Sequence, residues 1–129
     1  MGLLLDIFTW WNGPTYGTRW MTWRRGQEVG RDGQGNIYYV SKPGSGPERR
    51  WVIYAGVPEA TRVPPEWHSW LHYTVDTTPA EAPMKPRIWE KPWQPNATGT
   101  AHAHAPSGSL AVTGQRARAT GDYEAWSPE

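Results

Sequence analysis

The stretch Val63-Pro64-Pro65-Glu66-Trp67-His68-Ser69-Trp70-Leu71-His72 leaves its backbone few choices. Two consecutive prolines cannot sit inside a helix, because each lacks an N–H and its ring clashes with the turn before it. The second can open one, since the first helical N–H is unpaired anyway and proline already has helical φ. Val63, before Pro64, is pushed to an extended conformation. Pro65 is therefore the predicted first helical residue. Glu66 follows in the first turn, where a carboxylate meets the positive end of the helix dipole. Trp67, Trp70 and Leu71 fall at i, i+3 and i+4 and share one face. The stretch predicts a helix of about two turns that docks two indole rings. A helix so short is unstable alone, so packing must hold it.

The residues before it supply a surface to pack on. Residues 20–54 read as a small antiparallel sheet. Trp20-Met21-Thr22-Trp23-Arg24 and Glu28-Val29-Gly30-Arg31 are β-compatible, with Gly26 and Gly30 as bends or bulges. Asp32-Gly33-Gln34-Gly35-Asn36 is a turn, because glycine tolerates positive φ. Ile37-Tyr38-Tyr39-Val40 is a strand. Residues 42–48, with Pro43, Gly44, Gly46 and Pro47, form a loop. Arg50-Trp51-Val52-Ile53-Tyr54 is another strand, with Trp51 and Ile53 on one side and Val52 and Tyr54 on the other. The Pro-Pro helix is expected to cover one sheet face.

Residues 2–12 suit an amphipathic helix, with Leu3, Leu4, Ile7, Phe8 and Trp11 on one face and Asp6, Thr9 and Asn12 opposite. Gly13-Pro14 ends it. Its polar face lacks Lys and Arg, which argues against strong attraction to anionic lipid. It can rest on a membrane surface, on a partner or on the chain's own core.

Beyond residue 76 the character changes. Residues 77–129 hold seven of the 13 prolines and few aliphatics, and no periodicity there supports a helix or strand. Yet Trp89, Trp93, Tyr123 and Trp126 punctuate it, where a purely disordered tail would be poor in aromatics. This predicts an extended segment that pins rings on another surface. The expected fold class is α+β with low regular content. It has three parts: an amphipathic helix at 1–13, a core at 14–76 of about three antiparallel strands and the Pro-Pro helix, and an extended Pro-rich tail at 77–129.

Composition points the same way. Leu, Ile, Val and Phe number only 17 in 129 residues, whereas Trp and Tyr number 16. That is too few aliphatics for an ordinary core. Aromatics supply the missing apolar area and are enriched in interface cores. Trp11, Trp23, Trp51, Pro65, Trp67, Trp70, Trp89, Trp93, Tyr123 and Trp126 are the expected core or partner anchors.

Candidate chemistry is sparse. There is no cysteine, so disulfides, thiolate metal sites and iron–sulfur ligation by this chain are excluded. His68 and His72 have the i, i+4 spacing of two zinc ligands, but no third ligand is signalled and no Glu stands between them as in His-Glu-x-x-His. Arg24-Arg25 and Arg49-Arg50 each lie beside Trp, as in nucleic-acid binders. A net charge of +1 supplies no electrostatic term for such binding. Pro83-x-x-Pro86 and Pro92-x-x-Pro95 match a polyproline ligand pattern. A soluble nucleic-acid-binding or polyproline-type module is thus the competing class. No phosphate loop, dinucleotide fingerprint or thiol nucleophile appears, so the chain is not expected to be an enzyme. No apolar stretch is long enough to span a bilayer, and the N-terminus does not read as a signal peptide. The expectation is a soluble or peripheral protein on the cytoplasmic side.

Val-Pro-Pro-Glu-Trp-His-x-Trp-Leu-His at 63–72, after Gly-Asn-Ile-Tyr-Tyr at 35–39 and Arg-Arg-Trp-Val-Ile-Tyr at 49–54, resembles the alpha-subcomplex subunit 12 family of NADH:ubiquinone oxidoreductase. Ile7 to Gly13, Trp89-Glu90-Lys91-Pro92, Pro95 to Thr100 and Thr120 to Trp126 are similar to the alphaproteobacterial form. His102-Ala103-His104 departs from the family pattern. The resemblance implies a non-catalytic accessory subunit of respiratory complex I. It implies a place on the peripheral arm near the ferredoxin-like iron–sulfur subunit and the quinone module. It also implies a role in assembly and stability, on the cytoplasmic face of the bacterial inner membrane. Membrane contact is at most peripheral, through residues 2–12. No cofactor is expected in this chain; FMN and iron–sulfur clusters belong to other subunits, and no nucleic acid is expected.

Overall fold

Tyr38 has no exposed surface in the computed structural model of the chain, and Val63, Trp67 and Trp70 close around it. The structure describes residues 3–8, 11, 13–106, 108–113, 118–123 and 125–128. The predicted helical positions Thr9, Trp10 and Asn12, and Glu124 of the tail motif, lie outside the described residues.

Three antiparallel strands, β1 (Gly26–Arg31), β2 (Ile37–Ser41) and β3 (Arg50–Ile53), pair in chain order. Tyr38 faces Val52 across the β2–β3 ladder, and Tyr39 faces Trp51. Strand alternation then separates two faces. Tyr38, Arg50 and Val52 lie on one, Tyr39 and Trp51 on the other. The β1–β2 register shifts between Glu28 and Gly30, which is the bulge expected from Gly30. The 32–36 turn forms as predicted. Asp32 Oδ1 accepts from the N–H groups of Gln34 at 2.9 Å and Asn36 at 3.0 Å, and Gly35 takes φ +87°.

The Pro-Pro helix, α3 (Pro65–Leu71), begins at the second proline, with Pro64 and Val63 extended before it. It lies on the Tyr38 face. Tyr73, at φ 59°, marks the chain's departure from it.

The expectation for the first strand fails. Residues 20–24 are not a strand but the second half of a helix, α2 (Tyr16–Arg25). Thr15 caps it, its hydroxyl accepting from the Thr18 N–H at 3.3 Å, and Arg24 and Arg25 stand in the last turn, where cations suit the helix dipole. Aromatic composition favours strand only weakly; the cap and the tertiary anchor below outweigh it. That anchor is buried Thr22, whose hydroxyl accepts from Trp51 Nε1 at 3.1 Å. A helix therefore contacts each face of the sheet: α3 on the Tyr38 side, α2 on the Trp51 side.

At the N-terminus, α1 covers Leu3–Phe8, within the 2–12 expected, and Trp11 lies in a turn. The chain divides into two compact units, Met1–Asn96 and Ala97–Glu129. Among its described residues the second unit has turns, irregular chain and the helix α4 (Leu110–Thr113), where no helix was expected. Among the described residues, no helix is long and apolar enough to cross a membrane.

Candidate functional site

The described residues centre on ring contacts and the hydrogen bonds that hold them. What they build is an aromatic hub, held rigidly from both ends, and a set of rings left facing outward.

The hub is Tyr38, Trp67 and Trp70. Tyr38 stacks on Trp67 with ring centroids 4.1 Å apart and planes within 4°, and Trp70 meets Trp67 edge-on at 5.6 Å. Such contacts add to the burial of large apolar area. A Cβ on Gly30 would come within 2.8 Å of the Trp67 ring, so the bulge glycine is what lets the indole reach the sheet.

A polar cluster closes one end. The Tyr38 hydroxyl donates to Asp32 Oδ2 at 2.9 Å, and Asn36 Nδ2 donates to the same oxygen at 2.8 Å. Fully buried Asn36 also donates to the Arg62 carbonyl at 3.2 Å and accepts from the Ala55 N–H at 3.0 Å. Burial, then the neighbouring Asp32 carboxylate, push the Tyr38 hydroxyl well above the ordinary phenol range.

Arg50 closes the other end. It donates to the Trp70 carbonyl at 2.8 Å and the Val75 carbonyl at 3.0 Å, and pairs with Glu48 at 2.9 Å and Asp76 at 3.1 Å. Its guanidinium also lies 5.0 Å from the Trp70 ring centre and 4.6 Å from that of Tyr73. Burial lowers its pKa, but the two carboxylates outweigh that and raise it. The Tyr73 hydroxyl accepts from the Arg50 N–H at 3.0 Å and donates to the Glu48 carbonyl at 3.2 Å. The arginine thus ties the end of α3 to the start of β3.

The expected anchors differ in burial. Trp67 and Trp70 are core, Trp51 and Trp93 are half-buried, and Pro65 is exposed at the start of α3. Trp11, Trp23, Trp89, Tyr123 and Trp126 are exposed, Trp23 by 77% and Trp126 by 83%. Tyr16, Trp20 and Trp23 recur at i, i+4 and i+7 and form an exposed stripe on α2. Sequence reasoning missed Asp32, Asn36, Arg50 and Tyr73. The Asp-Gly-x-Gly-Asn turn signalled the first two, and alternation placed Arg50 beside Val52. The His68 and His72 rings stack at 4.2 Å, both residues exposed. Among the described residues, no three His, Asp or Glu side chains are placed to hold a metal ion.

Residues 26–128 match the family model described as NADH ubiquinone oxidoreductase subunit NDUFA12. The chain is 41% identical over 70 residues to a Caenorhabditis elegans protein named probable NADH dehydrogenase (ubiquinone) 1 alpha subcomplex subunit 12, covering 51% of this chain and 48% of that one. It is 38% identical over 88 residues to the subunit 12 protein of Dictyostelium discoideum, covering 66% and 63%. An uncharacterised protein of Rickettsia prowazekii is 39% identical over 72 residues, covering 54% and 66%. The chain thus spans about half to two thirds of the length of these relatives.

Proposed function

Because the chain belongs to the NADH ubiquinone oxidoreductase subunit NDUFA12 family, we propose that it is a non-catalytic accessory subunit of respiratory complex I. In this reading it binds the peripheral arm near the iron–sulfur and quinone module, beside the ferredoxin-like iron–sulfur subunit. It carries no cofactor itself and works on the cytoplasmic side of the inner membrane. The observation that carries the reading is the family match, which runs through the sheet, α3 and the tail.

The physical role is a clamp. The sheet and α3 give a rigid body, because both ends of the aromatic hub are hydrogen-bonded. The exposed rings of α2 and of the tail are available to a partner. Once the body is seated, the tail binds at high effective concentration, and each ring that finds a pocket contributes about 2 kcal/mol, as hot-spot residues do. The clamp slows loss of neighbouring subunits and leaves electron transfer to them.

Affinity-tagged chain recovered from detergent-solubilised membranes tests this. Complex I subunits and NADH-oxidising activity are expected in the eluate. A second strain ending at residue 96, the boundary between the compact units, is expected to hold the subunit more weakly, with unchanged NADH oxidation per intact complex. Full-length chain free of every complex I subunit would end the reading.

A further inference from the structure

The groove between α2 and the Trp51 face of the sheet, we propose, is a docking slot for an acidic segment of a neighbouring subunit. The segment presents one carboxylate beside one apolar side chain. The proposal rests on the reading of the chain as a complex I subunit and deepens it by naming a surface and its ligand.

The groove has a volume of about 440 Å³, the size of a side-chain pair rather than of a folded element. Met21, Pro47 and Trp51 give it apolar walls, and Arg25, Arg49 and Arg50 line it beside them, Arg50 already paired with Glu48 and Asp76. Among the described residues, no carboxylate lines it. The floor is preformed. Trp51 Nε1 donates to buried Thr22, and the Trp51 ring stacks on Tyr39 at 6.1 Å. Ser41 holds the rim, its hydroxyl accepting from the Arg49 N–H at 2.9 Å and donating to the Pro47 carbonyl at 3.4 Å.

Charge identifies the occupant. Arg31 pairs with Glu28, Arg50 with Glu48 and Asp76, Arg24 lies over Trp20, and Arg87 lies over Trp89. The guanidinium groups of Arg25 and Arg49 have no acceptor, carboxylate or ring among the described residues. Glu48 is taken up by Arg50, so the two guanidinium groups left over at the groove are complementary to an anion from outside. The planar fork of arginine fits a carboxylate with two parallel hydrogen bonds. A lipid phosphate would satisfy the charge but not the apolar walls, which lie inside the groove rather than on a flat face. A peptide supplies both. One wall, Met21 and Arg25 of α2, precedes residue 26, where the family match begins. The slot is therefore built partly from chain outside the matched stretch.

The test uses the whole complex, purified through a tag on another subunit. A photo-reactive benzoylphenylalanine replaces Ser45, which also lines the groove. Irradiation is expected to join it to a complex I peptide with Asp or Glu next to an apolar residue. Cross-linking to lipid, or to a peptide without a carboxylate, overturns the proposal. In the second arm, an Arg25→Glu, Arg49→Glu strain is expected to lose the subunit about tenfold faster at about 0.15 M salt. An Arg25→Lys, Arg49→Lys strain is expected to lose it faster than wild type but more slowly than the reversed strain, since the charges remain and the bidentate fork does not; a loss as fast as that of the reversed strain overturns the charge pairing. Equal retention of the reversed and wild-type chains overturns the slot while leaving complex I membership standing. Absence of the wild-type chain from the complex overturns the underlying reading, and the slot with it.

Discussion

Trp70 and Trp126 are the same residue type put to opposite uses. Trp70 is 3% exposed, edge-on to a second indole, with Arg50 over its ring and bonded to its carbonyl. Trp126 is 83% exposed, in a unit whose local order comes from turns such as Asp122 N–H to the Ala119 carbonyl at 3.0 Å. The hub rings are spent on folding this chain, whereas rings such as Trp23 and Trp126 face outward. A chain poor in aliphatics needs aromatics for both tasks, and burial tells them apart where composition cannot.

The sharpest way to break this contrast is to truncate one ring of each kind. Trp70→Ala is expected to destabilise the isolated protein by about 3–5 kcal/mol, and Trp126→Ala to stay within about 0.5 kcal/mol. Thermal or urea melts measure both, and similar losses would erase the distinction. Next in size is Gly30→Ala. Its new Cβ meets Trp67 ring atoms at 2.8 and 2.9 Å, and overpacking of this kind costs about 1–3 kcal/mol. A melt unchanged by Gly30→Ala would mean that the indole does not press on the sheet.

Alkaline pH probes the hub's polar end. The Tyr38 pKa is raised in the folded state above its ordinary value of 10.0, so the native protein holds this proton more tightly than the unfolded chain. Its contribution is complete below pH 10 and is lost as pH rises beyond it toward the folded value. The slope is at most about 1.4 kcal/mol per pH unit from this group. Denaturant midpoints read between pH 8 and 12, about the phenol range, are expected to fall above pH 10, less steeply in Tyr38→Phe. Tyr54, raised by burial alone, accounts for part of the remaining slope. A pH-independent midpoint would detach the hydroxyl from the hub. The smallest effect is Ser69→Ala, one position from Trp70. Ser69 points back along its own helix, its hydroxyl donating to the Pro65 carbonyl at 3.0 Å, and the change is expected to stay within about 0.5 kcal/mol. A larger loss would show that side-chain orientation on α3 matters less than position.

The elements legible in the sequence are those fixed by covalent geometry. Pro65 starts α3 because its φ is set and its N–H is missing, and both facts are local. The 32–36 turn forms because Asp32 caps the N–H groups of residues two and four ahead and Gly35 takes a positive φ. α2 was illegible because the β-compatible Trp20 to Arg24 run carries no such constraint. Its helical state depends on Thr15 at one end and on the bond from Trp51, 29 residues away, at the middle.

The sequence alone therefore determined where α3 begins, where the strands turn, that no thiol chemistry is available, and that rings must replace aliphatics. The tertiary structure decided which rings are core, that Tyr38 stands at the centre, that Arg50 reaches carbonyls 20 and 25 residues further on, and that Arg25 and Arg49 share a groove. The reason is range. Backbone sterics act over two or three residues and can be read along the chain. Burial and charge pairing depend on groups brought together by packing, which no local rule fixes.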